Sequence, residues 1–217
     1  MSPSDTHPPV VAPGDVETAE ALFETWIGFD FGGAAPRRLR DFLVSRAARN
    51  GYARVADYLM DLPDTRPDTA EAQRLVNVVT NGLTAFWRDD SQIEALGAIL
   101  GDLARRRDEP LAVWCAGCAT GEEAYTVAML AAERELDVRV LGTDINTSFL
   151  DAARRAEFDD WSLRRLTPER RERWFEQRDP SWALAAVTPR QGRLLASRTS
   201  SRPRPREEPM TTDTIQT

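Results

Sequence analysis

Apolar positions along the chain follow two periods, and the change between them divides it near residue 80. VETAEALFETWIGF carries its apolar residues at helical spacing, and a glycine break, FGGAAP, follows. RRLRDFLVSRAARNG is the next helical stretch, with Pro36 near its start and Gly51 as a C′ residue. YARVADYLMDL reads as a third, short helix. In LPDTRPDT, a Pro/Asp turn, Asp68 or Thr69 can cap the helix AEAQRLVNVVTNGL, which is expected to run on to Gly82. The pattern predicts an all-helical unit over 16–80, preceded by a Pro-rich, disordered tail over 1–15.

Beyond that point helices alternate with short apolar runs. SQIEALGAILGDLARRR is amphipathic, and LAVWCAG is a buried strand. GEEAYTVAMLAAEREL is a helix with Ala124, Val127, Ala128 and Leu130 expected on one side. VRVLGTD is a second buried strand, and NTSFLDAARRAEF another helix. Two buried strands joined through a helix make a βαβ unit and a parallel sheet. The fold class is therefore α/β, with the Rossmann-like part over 81–180. Trp87, Trp161 and Trp174 fall at amphipathic helix positions and are expected in the core. Residues 181–217, Arg/Ser/Pro-rich, read as loop or disorder. A doubly wound sheet usually has more strands than these, so the α/β domain is expected to be incomplete.

Charge and composition narrow the chemistry. The net charge of −7 argues against a general nucleic-acid binder. There is no lysine, so all 28 basic residues are arginines, planar forks suited to carboxylate or phosphate. No apolar run approaches a membrane span, and the N-terminus lacks the pattern of a secretory signal. The sole histidine, His7, lies in the tail, which disfavours acyl-transfer triads and zinc hydrolases. Cys115 and Cys118 form a C-x-x-C, open to a redox reading but better taken as a small, semi-buried lining. No metal site is expected. A cytoplasmic monomer is.

The most informative stretch is VWCAGCATGEEAYTVAML, a strand, a glycine loop and a helix. Gly117 and Gly121 bracket a loop that lets backbone approach a ligand. A P-loop would require Lys-Ser/Thr after the last glycine, and here Glu122-Glu123 follows. A pyrophosphate would meet those carboxylates at a cost of roughly 4 kcal/mol per contact at 4 Å, even with an effective dielectric near 20. An acidic first turn suits the helix dipole and a cationic ligand. S-adenosylmethionine carries an ammonium and a sulfonium and needs no phosphate site. Asp144, ending the second strand, is placed to accept from ribose hydroxyls. The plainer alternative is that the glycines serve helix packing and that Asp144 only caps the following helix.

The same residues resemble a known family. AGCATGEEAYTVAM is similar to the cofactor motif of the CheR chemotaxis receptor methyltransferases, and TNGLTAFWRDD resembles their Thr-Asn-x-Thr-x-Phe-Phe-Arg segment. LGTDINTSFLDAARRAEF resembles their second strand and following helix, and RRLRDFLVSRAARNGYARVADYL their helical substrate domain. The resemblance implies methyl transfer from S-adenosylmethionine to glutamates on the cytoplasmic helices of methyl-accepting chemoreceptors. It implies that Thr84, Arg88, Glu123 and Asp144 contact the cofactor, that Arg88 lies beside the transferred methyl, and that Arg46 and Arg49 belong to a basic docking face. The family's cofactor-contacting Asn falls on Gly82, with Asn81 one place early, and Arg193 stands at another family Asn. The chain ends at DTIQT, where the family's Arg-Asn-x-x-Ile-Tyr-Phe strand is expected to begin. A non-catalytic module that binds partners or cofactor, and a small-molecule methyltransferase, are the alternatives.

Overall fold

The computed structural model describes residues 7–28, 36–62, 70–185 and 197–198. Its first part is helical: α1 (Asp15–Ile27), α2 (Pro36–Arg49), α3 (Val55–Met60) and α4 (Ala70–Val79). Each puts its apolar stripe into one core. Ala19, Phe23 and Trp26 come from α1, Leu39, Phe42 and Leu43 from α2, and Ala72, Leu75 and Val79 from α4. Steps of three and four residues bring such positions to one face. Gly51 ends the second segment in the left-handed region, φ 81°. The α4 helix stops at Val79, short of the Gly82 expected from sequence. The proposed caps Asp68 and Thr69 lie outside the described residues.

Inside this unit sits a charged cluster. Arg46 forks onto Glu71 at 2.5 and 2.8 Å, Tyr58 donates its hydroxyl to the same carboxylate, and Arg74 donates from outside at 2.9 Å. Burial alone would raise the Glu71 pKa, but the donors from Arg46, Tyr58 and Arg74 outweigh it and hold the carboxyl below its ordinary range.

The second part begins with α5 (Asp90–Ala104), capped by Asp89, whose carboxylate accepts from the Gln92 N–H at 3.1 Å. Strand β1 (Leu111–Ala116), helix α6 (Glu122–Glu133) and strand β2 (Val138–Asp144) form the βαβ unit, with β1 and β2 parallel from Leu111↔Val138 to Ala116↔Thr143. Next come α7 (Thr147–Arg155), β3 (Glu157–Phe158), α8 (Pro168–Trp174), β4 (Phe175–Arg178), β5 (Ser181–Leu184) and β6 (Ser197–Arg198). Among the described residues there are two sheets, β1-β2-β6 and the antiparallel β3-β5-β4.

Several expectations need correction. The helix NTSFLDAARRAEF stops at Arg155; Ala156 turns left-handed at φ 52° and Glu-Phe becomes strand β3. The stretch from 181 is not uniformly loop, because Ser181–Leu184 completes a hairpin and Ser197–Arg198 pairs in parallel with the end of β2. Helix α6 is buried on both sides. Ala124, Val127 and Ala128 meet the sheet, whereas Leu130 and Met129 face an aromatic cluster of Phe86, Trp87, Phe158 and Phe175. Trp174 and Trp87 are core residues, although Trp87 sits in a turn at φ 49° rather than on a helix. Trp161 is 62% exposed, with the Arg164 guanidinium 4.1 Å from its ring centroid.

Because the Glu71 pKa is lowered, its contribution to stability is fully present above its ordinary value of 4.5 and is lost as pH falls through the native value. We expect Glu71→Gln to cost about 2–4 kcal/mol at neutral pH, since Arg46 and Tyr58 lose their charged partner. The gap between variant and wild type should close in urea melts as pH falls below 4.5. A gap constant down to pH 3 would be inconsistent with this role.

Candidate functional site

The site lies at the C-terminal ends of β1 and β2, where a parallel α/β sheet opens toward ligands. Gly117 and Cys118 donate their N–H groups to the Thr143 carbonyl at 2.8 and 2.9 Å, so the loop peels away from the sheet at once. Gly117 (φ 73°) and Gly121 (φ 100°) both adopt left-handed backbone. At Gly121 a Cβ would also lie 3.0 Å from the Ala153 methyl and the Tyr125 ring, so glycine is required there twice over. A Cβ at Gly117 would meet nothing within 4 Å, which leaves that face of the loop open to a ligand.

Asp144 ties this loop to the next. One oxygen accepts from Ala119 N–H at 2.8 Å and the other from Asn146 N–H at 2.8 Å. Each oxygen keeps a lone pair that a hydroxyl can use. The helix cap proposed as the alternative role for Asp144 is taken by Asn146, whose side chain accepts from Phe149 N–H at 3.0 Å. Ile145, the next residue in the chain, is 50% exposed.

The acidic pair divides. Glu122 is 2% exposed and spends its carboxylate on the hydroxyls of Thr120 at 2.6 Å and Ser162 at 3.0 Å. Glu123 is exposed and makes no hydrogen bond or ion pair with the described residues, so of this pair it is Glu123 that is open to a ligand. It lines a cleft of about 550 Å³ together with Thr84, Arg88, Gln92, Thr126 and Val127. The structure thus brings Thr84, Arg88 and Glu123 to one cavity, whereas Gly117, Gly121 and Asp144 are not in its lining.

Arg88 is set by its neighbours. The Phe86 N–H reaches Ser162 C=O at 3.1 Å, and the Trp87 N–H reaches Thr126 Oγ1 at 3.3 Å. Arg170 stacks 4.1 Å over the Trp87 ring while forking onto Glu133 at 3.1 and 3.0 Å. The Arg88 guanidinium donates to Leu83 C=O at 3.2 Å and forms no ion pair among the described residues. Its sequence neighbour Asp89 caps α5, and Asp90 stands in the first turn of that helix.

At the family Asn position, the Phe149 ring takes the space a side chain would need: a Cβ on Gly82 would lie 2.5 Å from it. Asn81 turns back to accept from Leu83 N–H at 3.2 Å. In the helical unit Arg46 is committed to Glu71, whereas Arg49 is exposed at the C-terminal end of α2 and Arg37, Arg38 and Arg40 are exposed near its start. Of the two arginines expected to dock, Arg46 is thus engaged within the unit, and Arg49 makes no hydrogen bond or ion pair with the described residues. Cys115 and Cys118 are buried free thiols, pushed up to about 11 by burial first and by nearby carboxylates second. At neutral pH they are not thiolates, which argues against redox chemistry. Among the described residues no His/Cys/Asp/Glu group could hold a metal ion.

Sequence reasoning missed Ile145, Asn146 and Asn77. An exposed apolar residue after a strand has no periodic signature, and polar residues on a helix read as a solvated face.

The donor set suits S-adenosylmethionine: an open glycine loop, a carboxylate with spare lone pairs followed in the chain by an exposed isoleucine, and a second carboxylate without a partner among the described residues. No helix among the described residues is long and apolar enough to cross a membrane. Residues 82–189 match the family model of the CheR methyltransferase, SAM binding domain. The chain is 33% identical over 144 residues to the chemotaxis protein methyltransferase of Escherichia coli K12, covering 63% of this chain and 49% of that one. It is 35% identical over 127 residues to chemotaxis protein methyltransferase 2 of Pseudomonas aeruginosa PAO1, covering 55% and 43%. To chemotaxis protein methyltransferase 1 of the same organism it is 31% identical over 185 residues, covering 80% and 67%. The chain spans about half the length of the first two of these relatives. S-adenosylmethionine is the cofactor of the matched domain, and the chain belongs to the CheR methyltransferase family.

Proposed function

We propose that this chain transfers a methyl group from S-adenosylmethionine to glutamate carboxylates on chemoreceptor cytoplasmic helices. The observation that carries this reading is the meeting of Thr84, Arg88 and Glu123 in one cleft, with Asp144 tying down the glycine loop that leads into the helix carrying Glu123. The bound cofactor supplies an electrophilic methyl on a cationic sulfur. Glu123 offers its free carboxylate to the cofactor's ammonium, and Asp144 accepts from ribose hydroxyls. Ile145 gives the adenine an apolar surface.

The chemistry needs no general base. A substrate glutamate has a pKa of about 4.3 and is ionised at neutral pH. Its attack on the sulfonium neutralises charge, so alignment and exclusion of water are the tasks left to the protein. The Arg88 guanidinium can hold the attacking carboxylate by paired hydrogen bonds. The exposed arginines of α2, Arg49 among them, suit an acidic helix as partner.

Titration calorimetry with S-adenosylmethionine should show one site. Asp144→Asn should weaken it about tenfold or more, the loss of charged hydrogen bonds, and ATP or NAD should not compete. Ready uptake of ATP or NAD with no affinity for the sulfonium cofactor would overturn the reading.

A tritiated-methyl assay on receptor cytoplasmic fragments tests the transfer. At saturating cofactor, Arg88→Met should lower the rate by about 100-fold through misalignment. Arg49→Glu should raise KM for the receptor fragment several-fold and leave kcat near wild type. Label on small carboxylates but not on receptor fragments would favour a small-molecule enzyme. Cofactor binding without label anywhere would favour a non-catalytic binding module.

A further inference from the structure

Helix α4 works on two sides. Ala72, Leu75 and Val79 are buried in the helical core. On the other side Gln73, Asn77 and Thr80, at i, i+4 and i+7, meet the loop that follows β2. Gln73 Nε2 donates to Ile145 C=O at 2.9 Å and to Asn77 Oδ1 at 3.0 Å. Asn77 Oδ1 accepts from Thr147 N–H at 3.0 Å, and Asn77 Nδ2 donates to Thr147 Oγ1 and Ser148 Oγ, each at 3.0 Å. Asn146, fully buried, donates from Nδ2 to Asn77 C=O at 3.1 Å and to Thr80 Oγ1 at 2.7 Å. The same Asn146 donates its backbone N–H to Asp144.

Every residue from Ile145 to Ser148 is thus held by α4, and Asp144 is reached through the backbone of Asn146. We propose that Asn77, supported by Gln73 and Thr80, is a positioning residue for the cofactor: it holds the loop so that the Asp144 carboxylate keeps the orientation that a ribose meets. The proposal rests on the reading of Asp144 as a cofactor contact. Asn77 itself touches no reacting group. A loop freed from α4 would populate the competent orientation for only part of the time, and apparent affinity would fall by that fraction. The helical unit would then contribute to cofactor affinity without a side chain of its own in the cleft.

The test is a double-mutant cycle on the full chain, read by titration calorimetry with S-adenosylmethionine, with thermal melts run alongside. Asn77→Leu should weaken binding about tenfold. In the Asp144→Asn background the same change should cost less than about twofold, because the group it orients is already disabled. Asn77→Asp, which keeps the acceptor for Thr147 N–H while the two hydroxyls can reverse and donate, should restore affinity to within about threefold of wild type. Should Asn77→Leu fail to fold, Gln73→Ala removes the bonds to Ile145 C=O and to Asn77 Oδ1 while leaving Asn77 on Thr147 and Ser148, and a loss of about threefold confined to the wild-type background supports the proposal. Losses that multiply independently in both backgrounds, or variants that bind as wild type does, overturn it. If Asp144→Asn itself leaves affinity unchanged, it is the assignment of Asp144 that fails.

Discussion

The site depends on one carboxylate holding two loops. Strands β1 and β2 end at the same level because they are parallel and in register, so their following loops emerge side by side. The glycine loop keeps hydrogen bonds to the sheet only at its start, from Gly117 and Cys118 to the Thr143 carbonyl. Beyond them Asp144 ties the two loops together, taking Ala119 N–H on one oxygen and Asn146 N–H on the other. Ala119 sits at φ 46°, a conformation an alanine adopts only when its surroundings compensate the cost. The glycine loop, the start of α6 and the entry to α7 are therefore one connected arrangement, and Glu123 is presented from it.

Burial sorts the charged residues into structural and available ones. Glu122 and Glu123 are adjacent, yet one is inside with two hydroxyl partners and the other faces the cleft with none among the described residues. Arg46 and Arg49 lie one turn apart on α2, yet one is locked to Glu71 while the other is exposed. A buried charge must be paired to be tolerated, and a paired charge has little left for a ligand. The same rule leaves the two cysteines as protonated lining rather than nucleophiles.

The segment carrying Arg88 is held from the other side of α6. That helix is buried between the parallel sheet and the aromatic cluster, and Thr126 on it accepts the Trp87 N–H. Phe86, Phe158 and Phe175 meet edge to face, with centroids 4.8 to 6.1 Å apart. The small antiparallel sheet thereby becomes part of the support for the cleft, although it contributes no residue to the Thr84–Arg88–Glu123 group.

What the sequence by itself determined was whatever local periodicity encodes. The helices of the first part, the continuous apolar runs of β1 and β2, and the glycine loop with its acidic turn were all legible, because each is specified within a few residues. Tertiary structure decided the rest. Strands β3, β5 and β6 are two to four residues long and exist through pairing with distant segments, so no local pattern announces them. Leu130 and Met129 turned away from the sheet because an aromatic cluster formed behind α6, and Trp161 lay outside it. Which of two neighbouring glutamates, or of two arginines one turn apart, stays free was settled by the partners that folding brought to each. The polar stripe of α4 is the clearest case: Gln73, Asn77 and Thr80 look like a solvated face until the loop after β2 arrives against them.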